Sequence, residues 1–312
     1  MLAFWLVTLC FLSSTVAAWP LQDIFRRQTA TAPTKFMFIF GDSYTATGFS
    51  MSGTQPSVSN PLGNPPVPGI RLSGGDMWVD TVMKSYARNG TVAYDFAVAQ
   101  NTVNSSRVQN PNPPTPNGDF RGQLALFEST IGAAASSKLK WKAANTLFIN
   151  WFGINDIVIQ AFQGRNGSTA QAILGPDVAD YFGRLERQWQ LGGRNFITIL
   201  VPPISKIGAF GWGTGPDAAN VAALTQYWNA QMQSANSQFQ KLHPYASSRI
   251  VDPTATFNTI LSNPQQYGAP NATCWSFPEG QPCLWHDFGH PGIVIQTAFG
   301  KQMGSLIQSI GF

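Results

Sequence analysis

The sequence predicts an α/β fold in which a parallel sheet lies between layers of helices. Five short apolar runs suited to buried strands alternate with stretches of helical length. The segments richest in Gly, Asn and Asp fall directly after those runs, where open α/β sheets bind ligands. With 312 residues, 44% of them hydrophobic, the chain can bury a sizeable core, and 29 Gly and 22 Pro allow long irregular connections.

Taken in order, Lys35 to Phe40 is the first strand, ended by Gly41-Asp42-Ser43. Gly41 permits a tight turn, and Ser43 is expected near a helix N-terminus, where unpaired N–H groups can stabilise an anion. Residues 49–75 contain five prolines and cannot be regular structure, so they form a long loop expected against the site. A helix is predicted over Asp76 to Arg88 and a second strand over Ala93 to Val98. Asn101 to Asp119 is another Asn- and Pro-rich loop, followed by a helix from Phe120 to Ala135. Asn145 to Phe152 gives a third strand ending at Gly153. Pro176 to Leu191 reads as a helix with its proline in the first turn. Asn195 to Val201 is the fourth strand, Asp217 to Leu242 the longest helix, Arg249 to Asp252 the fifth strand, and Ile293 to Ile310 a packing helix.

The formal charge of +4 is scattered without a long run, which excludes a nucleic-acid footprint. Met1 to Ala18 is apolar and ends in Val16-Ala17-Ala18, as a signal peptide does, and no later stretch is apolar for long enough to span a membrane. Residues 19–34 form a leader in which Arg26-Arg27 is either a dibasic processing site, leaving Gln28 as first residue, or a pair of solvated arginines. Residues 35–312 are then a single catalytic domain, exported. In the oxidising route Cys274 and Cys283 are expected to pair, closing a loop whose constraint stabilises by about 2.5–3 kcal/mol. Asn89, Asn104, Asn166 and Asn271 open glycosylation sequons.

The chain has three histidines, His243, His286 and His290. Asp287-Phe288-Gly289-His290 places a carboxylate three residues before an imidazole, so that the carboxylate can accept from Nδ1–H while Nε2 faces Ser43. His286 is expected to point elsewhere, and His243, at a helix end beside Pro244, reads as structural. In Gly153-Ile154-Asn155-Asp156, Asn155 offers an amide to a developing oxyanion, and Asp156 is expected to hold the loop or cap the following helix. Each piece alone has an ordinary structural role; their order and their placement at strand ends point to a serine nucleophile. Trp151 reads as core, whereas Trp78 and Trp285 are expected at the pocket rim.

Phe40-Gly41-Asp42-Ser43, Gly153-x-Asn155-Asp156 and Asp287-x-x-His290-Pro291 resemble the first, third and fifth blocks of the GDSL or SGNH hydrolases. The longer wording FGDSYTATGF, GTQPSVSNPLGNPP, WFGINDI and HDFGHPG is similar to fungal acetyl esterases of the sixteenth carbohydrate esterase family. The resemblance covers nearly all of the mature chain. It implies a flavodoxin-like three-layer α/β/α sandwich with strand order 2-1-3-4-5 and ester hydrolysis without a cofactor or metal. Ser43 would be the nucleophile, His290 the base, Asp287 its orienting carboxylate, and Asn155 with the Ser43 N–H two parts of the oxyanion hole. The family's second block supplies a glycine as third donor. Here the run is Phe96-Ala97-Val98-Ala99-Gln100-Asn101, so Gln100 or Ala99 takes its place. The implied partner is an acylated carbohydrate or small ester, acted on by a monomer. A lipase of the same superfamily and a carbohydrate-binding protein with weakened catalysis are the competing readings.

Overall fold

The chain enters the sheet at β1 (Lys35–Gly41), whose residues after Lys35 are all buried, and this central strand fixes everything around it. In this computed structural model, which describes residues 32–109, 118–207, 215–277 and 280–312, β2 (Thr91–Asp95) and β3 (Thr146–Trp151) pair with β1 in parallel on either side. β4 (Asn195–Ile199) and β5 (Ser247–Val251) extend the sheet beyond β3. The order is 2-1-3-4-5, all parallel, as in the SGNH hydrolase fold. The proposed signal peptide and the dibasic Arg26-Arg27 lie outside the described residues.

Seven α-helices are described: α1 (Trp78–Ser85), α2 (Phe120–Thr130), α3 (Ile154–Phe162), α4 (Gly167–Gln190), α5 (Ala218–Leu242), α6 (Thr254–Leu261) and α7 (Ile293–Ser309). Side chains alternate across the strands, so each strand feeds two cores. Phe38 and Phe148 meet Phe127 of α2, with ring centroids 4.8 and 5.6 Å away. On the opposite face, Trp151 packs against Trp78 of α1 and Phe299 of α7. Helices α2 and α4 therefore cover one face, while α1 and α7 cover the other.

Several expectations shift, each for a local reason. β2 lies at Thr91–Asp95 rather than Ala93 to Val98, because beyond Asp95 the ladder is one-sided: Phe96 N–H donates to Ile39 and Val98 N–H to Gly41, but the Gly41 N–H turns to Gln123 instead of the Phe96 carbonyl. α1 and α2 are shorter than predicted at both or one end. α4 begins at Gly167, so Pro176 sits inside the helix. An interior proline costs on the order of 3 kcal/mol. Burial of Ala170, Leu174, Val178 and Tyr181 along one face offsets it. No regular helix follows Ser43; Thr45 and Ala46 donate to the Asp42 carbonyl, 3.0 and 2.9 Å, closing a single turn. The short helices α3 and α6 were not delimited by the sequence pattern.

The end of β1 is secured by the buried Gln123 of α2. Its Oε1 accepts from the Gly41 N–H (3.0 Å) and its Nε2 donates to the Gly41 carbonyl (2.7 Å). That carbonyl also accepts from Val98 N–H at 3.1 Å. Gly41 admits no side chain, since a Cβ would stand 2.9 Å from the Trp151 carbonyl. Replacing Gln123 by Leu strands the buried Gly41 N–H, and we expect a loss of about 2–3 kcal/mol in urea denaturation. An unchanged midpoint would show that the clasp carries no net stability.

Candidate active site

Ser43 lies in the turn directly after β1, 5% exposed. The next residue ties this turn to the segment before α7. Tyr44 Oη donates to the Gly289 carbonyl at 2.7 Å, its ring stands 6.0 Å from the His290 ring, and its own carbonyl accepts from Gln296 Nε2. His290 Nδ1 is 2.8 Å from both carboxylate oxygens of Asp287, which also accepts from the Gly289 and His290 N–H groups. Burial would raise the Asp287 carboxyl, but hydrogen bonding and charge from His290, with those two N–H groups, hold it below the ordinary carboxylate range. Asp287 is thus kept ionised beside the imidazole.

The other two histidines fall elsewhere, as expected. His286 stands beside Gly74 and 5.6 Å from the Phe277 ring, and His243 at the end of α5 pairs with Glu186 at 2.6 Å.

The loops after β2 and β3 meet each other through Asn155. It is the second residue of α3, and its Nδ2 donates to the Asn101 carbonyl at 2.9 Å. Gly153 before it has φ +118 and would drive a Cβ to 2.5 Å from Trp228, so only glycine fits this entry to the helix. Asp156 does not cap the helix; it holds the loop, accepting from Val103 N–H at 3.0 Å. Asp119 holds Ser105, and Arg107 bridges Asp177 and Asp180 of α4 at 2.6 Å each.

Gln100 occupies the left-handed region, with φ +68. Gln100 thus has a backbone that glycine adopts readily while carrying a side chain, and Ala99 is not among the residues with positive φ. Asp95 helps set this path, accepting from Thr47 N–H and Ala97 N–H at 2.9 and 3.0 Å. Burial, opposed by those hydrogen bonds, pushes its carboxyl up to about 7. Asp42, fully buried, is likewise pushed up to about 7, with only its Oδ1 receiving a hydrogen bond, from Tyr44 N–H.

Two rim assignments are corrected. Trp78 and Trp285 are 0% and 1% exposed. Trp78 Nε1 donates to Thr45 Oγ1 and Trp285 Nε1 to the Ala272 carbonyl, so both are core residues supporting the site from behind. Their position beside site motifs in sequence said nothing about which way the rings turn. Cys274 and Cys283 are disulfide-bonded, as expected. Of the sequons, Asn89, Asn166 and Asn271 are exposed, whereas Asn104 is half-buried and donates to Asp180 at 2.6 Å. Gln123 and Gln296, which fasten the site, carry no motif that sequence reasoning could have found, and Tyr44 lies in a quoted motif whose wording gave no sign of its tie to Gly289.

The sheet order and the placement of these loops define an SGNH-type hydrolase. Residues 37–299 match the family described as GDSL-like lipase/acylhydrolase, and the chain belongs to that family. It is a carboxylic ester hydrolase. It is 37% identical over 263 residues to an acetylesterase of Thermothelomyces thermophilus, covering 84% of each protein. It is 25% identical over 248 residues to an acetylesterase of Hypocrea jecorina, covering 73% of this chain and 65% of that one. An acetylxylan esterase from Geobacillus stearothermophilus shares the fold, with a TM-score of 0.52 at 16% identity over 90% of this chain and 96% of that one. Among the described residues no helix is long and apolar enough to cross a membrane.

Two stability outcomes follow from the geometry. Gln100→Gly should raise the unfolding free energy by roughly 0.5–1 kcal/mol by removing left-handed strain, and Gln100→Val should lower it; the reverse order in chemical denaturation would contradict the strained backbone. For Asp42, a carboxyl raised in the fold contributes stability below its unfolded value that is lost as pH rises through its folded value. Against Asp42→Asn, the wild type should therefore lose up to about 1.4 kcal/mol per pH unit between 3.8 and about 7, measured as the difference in urea unfolding. A pH-independent difference would mean the carboxyl is not held protonated.

Proposed function

We propose that this chain is an exported esterase that removes acetyl groups from acetylated hemicellulose oligosaccharides by way of an acyl-serine. The observation that carries the mechanism is the double contact of His290 Nδ1 with Asp287, at 2.8 Å, on a turn fastened to the residue after Ser43. Asp287 fixes the tautomer in which Nε2 is free to act as base. His290 takes the Ser43 proton as Oγ attacks the ester carbonyl, then returns it to the leaving alcohol; water repeats the sequence to release the acid. The Ser43 and Gln100 N–H groups and the Asn155 amide would hold the oxyanion, the amide fixed by its other hydrogen bond to Asn101. The acetyl preference draws on the Thermothelomyces relative. Export draws on the apolar N-terminal stretch, the disulfide and the exposed sequons.

Deacetylation of a defined acetylated xylo-oligosaccharide series, followed by mass spectrometry, tests the substrate. Ser43→Ala should abolish turnover while leaving thermal unfolding unchanged, and Asn155→Ala should reduce kcat by roughly a hundred- to a thousandfold. An active Ser43→Ala variant would remove the mechanism. A strong preference for long acyl chains would replace the acetyl assignment by a lipase. A protein that leaves a serine-directed phosphonate unreacted would be a binder rather than an enzyme.

A further inference from the structure

Behind the Asp287–His290 turn, a cavity of about 380 Å³ opens between the start of α7, the segment before α1 and the loop closed by the Cys274–Cys283 disulfide. Its volume lies within the span of small-molecule sites, about 300–1,000 Å³. Phe277 and Tyr267 supply aromatic surface, Ile293 and Val294 aliphatic surface, and His286 and Ser276 polar groups. Among the described residues that line it there is no Asp, Glu, Lys or Arg, so a charged ligand would lose its hydration without gaining a counter-charge. A sugar ring has the matching chemistry: an apolar face for an aromatic ring to cover, and neutral hydroxyls at its edge that both donate and accept.

Two polar side chains in the cavity are left for such a ligand. Among the described residues no hydrogen bond occupies the His286 imidazole or the Tyr267 hydroxyl, whereas the Ser276 hydroxyl is taken by the Trp285 carbonyl at 3.2 Å. The aromatic wall is fixed in advance: the Phe277 N–H donates to the His286 carbonyl at 2.7 Å, and the disulfide closes the loop that carries the ring. A wall already ordered loses little freedom when a ligand arrives. The cavity also adjoins the base. His286 N–H donates to the His290 carbonyl at 2.8 Å, so a residue of the cavity lining and the residue bearing the imidazole are joined across the turn. The group that protonates the leaving alcohol must stand next to it, which puts the alcohol half of an ester towards His290. A saccharide that continues past its esterified sugar in that direction meets His286 and Phe277.

Resting on the esterase reading above, we propose that this cavity is a subsite for a second sugar of the substrate, linked to the one that bears the acetyl group: Phe277 covers its face, and the Tyr267 hydroxyl and His286 imidazole bond its hydroxyls. Acetylated disaccharides are then better substrates than acetylated monosaccharides, and the difference is set away from the reacting atoms. Phe277 is 60% exposed, so replacing it does not disturb the core.

The test uses the full chain and three kinds of acetyl ester: p-nitrophenyl acetate, which has no sugar, monoacetylated xylose, and xylobiose monoacetylated on one sugar or the other. The better xylobiose isomer should exceed xylose in kcat/KM by roughly three- to tenfold, with the gain in KM. Phe277→Ala should remove that gain while leaving p-nitrophenyl acetate and acetylated xylose unchanged, and Phe277→Trp, which keeps an aromatic face, should retain it. Tyr267→Phe should remove part of it, and carries the same test if Phe277→Ala does not fold. Xylobiose no better than xylose, or a gain that survives both Phe277→Ala and Tyr267→Phe, would overturn the subsite while the esterase reading stands. Loss of p-nitrophenyl acetate hydrolysis in Phe277→Ala would make the ring a support for the turn instead, and also overturn it. A wild type that cleaves p-nitrophenyl acetate but no sugar ester would remove the hemicellulose reading together with the subsite, and one that cleaves none of the three would sink the esterase reading itself.

Discussion

The structure depends on the backbone of Gly41, where four parts of the fold meet at one residue. Its N–H and carbonyl are both taken by Gln123 of α2, the same carbonyl receives Val98 N–H from the loop after β2, and any Cβ on it would strike the Trp151 carbonyl of β3. A strand end in a buried sheet would otherwise leave polar groups unsatisfied, each costing on the order of 1–3 kcal/mol. Satisfying them here also fixes where Ser43 begins its turn relative to the loops that carry Gln100 and Asn155. Stability and site geometry therefore share one set of hydrogen bonds.

A second layer of control comes from carboxylates placed where the chain leaves the sheet. Asp95 joins the segment after Ser43 to the segment leading to Gln100, Asp156 grips Val103, and Asp177 with Asp180 holds Arg107. Burial raises Asp95 and Asp156 above the ordinary carboxylate range, and the charges of Asp177 and Asp42 add to the rise at Asp156. Loops without regular structure are held here by side chains, which lets their backbones take paths that strands and helices forbid. The left-handed Gln100 is one such path.

Much of this was legible in the sequence because the signals were local. An apolar run stopped by Gly-Asp-Ser marks the end of β1, and a separation of three positions from Asp287 to His290 suffices to put a carboxylate on an imidazole. The strand order needed the family resemblance, since periodicity alone does not say which strands are neighbours. What failed was tertiary. Pro176 tolerates a helix interior because the opposite face of α4 is buried. Trp78 turns inward because Thr45 and Phe299, distant in sequence, receive it, and Trp285 because the Ala272 carbonyl takes its Nε1–H. Gln123 is an unremarkable helical glutamine until β1 is laid beside it.

The bond from Tyr44 to Gly289 spans 245 positions of the chain, and Gln296 reaches back to the Tyr44 carbonyl. During synthesis the ribosome delivers Tyr44 long before Gly289 and Gln296, so the turn after β1 gains these two ties only once α7 and the segment before it dock.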